Sequence, residues 1–224
     1  MTKYPRAIIF DLDGTLIDSV PAIRETLNNI FSSEGVAEFS IEEVKTLVGF
    51  GARWMIEEII KRKKIESSVS NLEALLSQYY TEYLRVSDKF TKIYDGVFEV
   101  LNELKEKQIK TAICTNKPGS TTIAVLKSLK LIEFFDAIVT EDDVKHRKPD
   151  PTHLNHTLTK IKAKPNESVF VGDSETDMET ASRAGVKFVF VTYGYCHIPI
   201  SNIKATRIIE KFNDLPKALK FLSD

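Results

Sequence analysis

Cysteine is scarce: Cys114 and Cys196 are the only two, and neither belongs to a Cys-x-x-Cys pair or a Cys/His ligand spacing. That argues against a disulfide framework and a zinc site, and it fits a reducing cytoplasm. A surplus of either charge is equally missing. Thirty-one basic residues face 32 acidic ones, for a net charge of −1, with no long block of one sign. Nothing in this balance favours nucleic acid or an anionic membrane, so the expected partner is a small molecule. Long apolar runs are absent too. Met1 leads through Lys3, Tyr4, Pro5 and Arg6 into a run of strand length, too short for a signal-peptide core or a membrane span, which points to a soluble protein. No internal repeat or low-complexity segment is visible. What remains is an ordinary globular composition over 224 residues, enough to bury a sizeable core as one large domain or as a domain with an insertion.

From about residue 93 onward, strand-length apolar runs alternate with amphipathic stretches, the pattern of βα units and a parallel sheet. Strands are expected at 111–114, 137–139, 168–171, 188–191 and, more weakly, 207–209, joined from the N-terminus by 7–10. Helices are expected at 97–107, 120–129, 151–161, 176–184 and 215–222, with Pro151 well suited to a first helical turn. Residues 19–90 read differently, with helical periodicity and no convincing strand, as an inserted helical domain between core segments 1–18 and 91–224. Ser40-Ile41-Glu42-Glu43 and Ser70-Asn71-Leu72-Glu73 both fit the capping box. Leu72, Leu75, Leu76, Tyr79, Tyr80 and Tyr83 recur at helical spacing, a stripe read as helix-packing core. Lys61-Arg62-Lys63-Lys64 reads as a solvated helix end favoured by the helix dipole.

Four segments carry chemistry. In Phe10-Asp11-Leu12-Asp13-Gly14-Thr15-Leu16, two carboxylates leave the end of an apolar strand two positions apart. Extended chain alternates its faces, so Asp11 and Asp13 point to one side, where a hard cation such as Mg²⁺ or a shared proton must offset their repulsion. Gly14 permits a sharp turn, and Thr15 adds a hydroxyl and an amide; a strand-ending Asp-Gly turn is the plainer alternative. Ile113-Cys114-Thr115-Asn116-Lys117 ends a strand just before a helix, where free N–H groups and the Thr115 hydroxyl suit a phosphate, although Thr and Asn there also serve as helix caps. Lys148-Pro149-Asp150-Pro151 fixes an ammonium between prolines, useful where phosphate meets carboxylates; an exposed lysine before a helix is the other reading. Val171-Gly172-Asp173-Ser174-Glu175-Thr176-Asp177 places two acids four apart at a helix start, as one metal ligand with a supporting acid or as an N-capping Asp. All four fall at carboxyl ends of strands, where open parallel sheets bind their ligands, and caps alone do not account for that convergence.

The order Asp-x-Asp-Gly-Thr, Thr-Asn, Lys-Pro, Gly-Asp-x-x-x-Asp resembles the four motifs of the haloacid dehalogenase-like hydrolase superfamily, over essentially the whole chain. The resemblance implies a doubly wound, Rossmann-like α/β core with an inserted α-helical cap, and a Mg²⁺-dependent phosphatase. It makes Asp11 the nucleophile that forms an aspartyl-phosphate, and Asp13 the general acid and then base, with its main-chain carbonyl on the metal. It places Thr115 and Lys148 on the phosphoryl group, Asp173 on the metal beside Asp11, and Asp177 behind them as support. Thr15 and Asn116 are further candidates for holding substrate. In Gly49-Phe50-Gly51-Ala52-Arg53, Arg53 is the candidate for a substrate carboxylate, set against a Gly-based turn with Arg53 on the surface. Val191-Thr192-Tyr193-Gly194-Tyr195 is similar to a stretch of the phosphoglycolate phosphatase subgroup, while Asp95 stands where many relatives have proline. A small phosphorylated metabolite is the expected partner, for a monomer or homodimer in the cytoplasm. Phosphomutases of the β-phosphoglucomutase kind and pyrophosphatases share the motifs. A non-catalytic binding protein is the alternative of another class, and the complete set of acids, hydroxyl and lysine weighs against it.

Overall fold

Ala7-Ile8-Ile9-Phe10 has no polar side chain and is fully buried, which suits only a strand covered on both faces. In the computed structural model, which describes residues 4–32, 36–65 and 72–220, this run is the centre of the molecule. The strands in chain order are β1 (Ala7–Phe10), β2 (Ile17–Asp18), β3 (Lys92–Ile93), β4 (Lys110–Cys114), β5 (Ala137–Val139), β6 (Ser168–Gly172), β7 (Lys187–Val191) and β8 (Arg207–Ile209). Six of them form one parallel sheet in the order β5-β4-β1-β6-β7-β8. Counting only these six, the order is the 3-2-1-4-5-6 of the doubly wound fold, with the connection reversing direction on either side of β1.

The helices are α1 (Val20–Phe31), α2 (Ile41–Lys45), α3 (Ala52–Lys63), α4 (Leu72–Phe90), α5 (Val97–Glu106), α6 (Gly119–Ser128), α7 (Pro151–Lys160), α8 (Glu175–Ala184) and α9 (Leu215–Lys220). The period-two alternation of the strands sorts the core into two layers. Ile8, Phe10, Val169, Val171, Val189 and Val191 pack with Leu101 and Leu104 of α5, Val125 of α6 and Leu219 of α9. Ala7, Ile9, Phe170, Phe188 and Phe190 pack on the opposite face with Leu154 and Leu158 of α7 and Ala181 of α8. Sequence and structure agree on all six strands to within a residue, and on helix type throughout; residues 221–224, where the last helix was expected to end, lie outside the described residues.

Between β2 and β3 the described chain is helical. Two short strands, invisible to periodicity, bring its ends together: Ile17 pairs with Ile93 and Asp18 with Lys92, antiparallel. Ser40 caps α2 by accepting the Glu43 N–H at 3.1 Å; the second expected capping box begins outside the described residues. Leu75, Leu76, Tyr79 and Tyr83 of α4 are buried, as expected of a packing stripe. Among the described residues no helix is long and apolar enough to cross a membrane.

Candidate active site

The sheet delivers its charged residues at one end. Asp11 continues the ladder one residue past β1, its N–H donating to Val171 C=O at 2.9 Å, which aims a buried carboxylate into the crevice beside β6. Lys148 Nζ lies 2.8 Å from Asp11 Oδ1 and 2.7 Å from Asp177 Oδ1, so the lysine is buried and bridged rather than exposed. Its Lys148–Pro149 peptide is cis. Asp177 occupies the third position of α8, and its other oxygen accepts from the N–H (3.2 Å) and hydroxyl (2.6 Å) of Ser174, the N-cap. The capping box therefore positions the acid that positions Lys148. Asp173 is not the cap. It accepts the Thr15 hydroxyl at 2.8 Å and the Tyr195 N–H at 2.7 Å, in a slot between Gly14 and Gly194 where a Cβ at either glycine would overlap its carboxylate. Gly14 also has φ +89°, a conformation that favours glycine.

Asp11, Asp173 and Asp177 each bring a carboxylate oxygen to within 4.8 Å of the others. Burial pushes the Asp11 carboxyl up to about 7, with Lys148 pulling the other way. Burial, then the charges of Asp177 and Asp11, hold Asp173 well above the usual carboxylate range. Burial works against the Lys148 charge, but Asp11 and Asp177 outweigh it and keep the ammonium above its ordinary value. The cluster thus sets three buried carboxylates against one buried ammonium, which pairs with Asp11 and Asp177 and leaves Asp173 without a cation among the described residues. Hard, oxygen-only donors with an excess of negative charge fit a divalent cation.

The other expected residues divide. Thr115 is buried beside this cluster, its N–H on Val139 C=O at 3.1 Å and its hydroxyl accepting the Lys117 N–H at 3.2 Å. Neither Thr115 nor Asn116 caps α6, whose N-cap is Pro118. Asn116 donates to Gly49 C=O and Lys148 C=O and accepts the Lys148 N–H, all at 3.0 Å. Both its side-chain N–H groups are used in bracing two loops, and the residue also lines the cavity between them. The Thr15 hydroxyl is likewise committed to Asp173. Asp13 faces the cavity, its two carboxylate oxygens 3.1 and 3.2 Å from Lys117 Nζ. Lys117, not singled out by sequence, is buried with its ammonium 4.3 Å from the centre of the Tyr83 ring. Burial opposes its charge, and Asp13 with the hydroxyls of Tyr83 and Tyr79 more than reverses the effect. A lysine in a loop before a helix carries no local signal that separates it from a surface residue.

A cavity of about 50 Å³ is lined by Asp11, Asp13, Thr115, Lys117 and Lys148 on one side and by Leu47, Val48, Gly49, Gly51, Ala52, Met55 and Tyr79 on the other. Arg53 is not part of this wall. Its exposed guanidinium donates to Glu73 at 2.7 Å, because successive residues at a helix start face different sides and Ala52 takes the inward one. At the cavity's edge the helical segment meets the sheet again. Phe50 stacks on His197, whose ring nitrogens lie 2.9 Å from Glu175 Oε1 and 3.2 Å from Lys45 C=O. Tyr195 works at the neck, its hydroxyl donating to Asp18 and accepting the Ser19 and Val20 N–H groups.

A six-stranded doubly wound sheet gathers buried acids around a bridged lysine at its carboxyl ends, and the sequence places this arrangement in a family of hydrolases. The haloacid dehalogenase-like hydrolase family model matches residues 8–191, and the chain belongs to that family. It is 33% identical over 221 residues to phosphoglycolate phosphatase of Agrobacterium fabrum, covering 98% of this chain and 95% of the relative. Phosphoglycolate phosphatase 1 of Pseudomonas aeruginosa is 34% identical over 217 residues, 96% of this chain and 79% of the relative. The crystal structure of a predicted phosphoglycolate phosphatase from Haemophilus somnus superimposes with a TM-score of 0.88 at 28% identity, covering 95% of this chain and 96% of that one. The enzyme is a phosphatase of this family.

Proposed function

We propose that the chain is a Mg²⁺-dependent phosphomonoester phosphatase whose substrate is phosphoglycolate or a close analogue. The observation that carries this reading is the pairing of Asp11 with Lys148 inside the carboxylate cluster, in a chain so similar to phosphoglycolate phosphatases. Asp11, Asp173 and the main-chain carbonyl of Asp13 would hold the metal, with Asp177 behind them. Bound there, Mg²⁺ would offset the charge that gathers when a phosphate joins the carboxylates.

The chain's own residues do the rest. An oxygen of Asp11 attacks phosphorus as the bond to the leaving oxygen breaks, and Asp13 gives that oxygen its proton. Asp13 then takes a proton from water, whose oxygen attacks phosphorus and releases inorganic phosphate from Asp11. Lys148 and the Thr115 hydroxyl meet the phosphoryl oxygens. Residues 19–90 act as a cap over the core of 1–18 and 91–224; a cavity walled from both and the β2–β3 ribbon joining the ends of the helical segment support that division. Turnover of phosphoglycolate with Mg²⁺ in ¹⁸O-water is expected to yield labelled inorganic phosphate over many cycles. No phosphate release, or rapid isomerisation of β-glucose 1-phosphate with negligible release, would overturn the reading.

A further inference from the structure

Two buried ammonium groups line the cavity, and their partners differ. Lys148 is shared between Asp11 and Asp177, with two of its three N–H donors taken by carboxylates. Lys117 has one acid, Asp13, held through both oxygens, and its other neighbours are the neutral rings and hydroxyls of Tyr83 and Tyr79. The facing wall, from Leu47 and Val48 to Met55, brings no cation, and the arginine nearest to it in sequence, Arg53, is spent on Glu73 at the surface. Among the described residues, the one ammonium of this cavity that answers to a single acid, and so is open to exchange with an anionic group at the far end of a substrate, is therefore Lys117. Position matters as well. The group that touches Asp13 lies next to the leaving oxygen that Asp13 serves, within reach of a leaving group two or three atoms long.

We propose that Lys117 sets substrate choice, by exchanging Asp13 for the carboxylate of a short carboxylated phosphomonoester. The proposal rests on the phosphatase reading and deepens it. The exchange couples recognition to chemistry: when Lys117 turns to the substrate carboxylate, the Asp13 side chain is released toward the leaving oxygen. A neutral ester of the same length leaves the Lys117–Asp13 pair in place and so engages Asp13 poorly.

The test compares kcat/KM for 2-phosphoglycolate and for 2-hydroxyethyl phosphate, a neutral ester of matching length, in the wild type, Lys117→Met and Lys117→Gln. Loss of a charged hydrogen bond should cut the preference for the carboxylated ester about 10- to 100-fold in both variants, whatever common loss they suffer through Asp13. Lys117→Arg should keep most of the preference. In the Asp11→Asn background, binding of 2-phosphoglycolate should weaken on adding Lys117→Gln while binding of the neutral ester changes within about threefold. Gln can still hydrogen-bond to Asp13, so this second variant serves if Met disturbs the fold. A preference ratio unchanged in a folded Lys117→Gln enzyme that still hydrolyses both esters overturns the Lys117 proposal alone. Failure of the wild type to hydrolyse either ester overturns the phosphatase reading.

Discussion

The two walls of the cavity are made differently. On the sheet side every one of these charged groups is fixed by a neighbour, and all but the part-buried Asp13 are buried: Asp11 and Asp177 by Lys148, Asp173 by Thr15 and Tyr195, Asp13 by Lys117. On the helical side the inward residues carry no charge, and the charges lie outside in pairs such as Arg53–Glu73, Lys45–Glu42 and Arg85–Glu82. Exposed pairs contribute little to stability, whereas a buried pair broken on one side leaves a charge stranded in low dielectric. The fixed charges therefore gather at the sheet ends, and the helices bring an uncharged wall.

Substitutions can break that division in order of expected effect. Asp11→Asn should abolish phosphate release, a loss of many orders of magnitude, with the circular dichroism spectrum kept because the amide is of similar shape and Lys148 retains Asp177. Residual activity above a few per cent would remove Asp11 from the nucleophile's role. Gly194→Ala drives a methyl into Asp173 without touching any acid's chemistry. It should raise the Mg²⁺ needed for half-maximal rate about 10- to 100-fold, the range for disturbing the support of a ligand, and EDTA should silence the wild type. An unchanged Mg²⁺ titration would separate Asp173 from the metal.

The seam between the walls should respond to pH. Glu175 holds His197 above the ordinary histidine value; burial works against the Glu175 charge, but hydrogen bonds from His197 bring it down to about 2. The histidine's contribution is complete below its unfolded value of about 6.5 and is lost as pH rises through its raised value; the glutamate's is complete above its unfolded value of about 4.3 and is lost as pH falls toward 2. His197→Phe keeps a ring against Phe50, so the stability gap to wild type, about 1 kcal/mol or less, should be widest near pH 5–6 and narrow in alkali. Urea unfolding at stepped pH measures it, and a gap that does not vary with pH removes the ion pair. Smallest of all, Arg53→Ala should leave the preference between carboxylated and neutral esters within about twofold; a larger shift would bring Arg53 into the cavity and give the helical wall a charge.

The contrast also explains what could be read from sequence. Strands covered on both faces must be apolar throughout, so 7–10 and 168–171 declare themselves, and acids placed where such runs stop announce a site. Lys117 escaped because its partner Asp13 lies 104 positions away, and Tyr195 because Asp18 lies 177 away. Local pattern carries no trace of such pairings. Arg53 shows the converse: its loop reaches the cavity, but which side of a turn faces inward depends on the docking of a whole helix, and Ala52 takes that side. The strands of two residues at the neck span one alternation, too little for a repeat to show.

The central position of β1 has a kinetic meaning. β1 precedes both of its neighbours in the chain, so its pairing is complete only when β4 and β6 have joined it, and Thr15 must wait for Asp173, 158 positions later. Contacts so distant in sequence are slow to form, and no fragment that stops before β6 contains the cluster. Hydrolysis is consequently a late acquisition of the folding chain: a ribosome-bound or truncated product can hold much of its secondary structure and still lack the site.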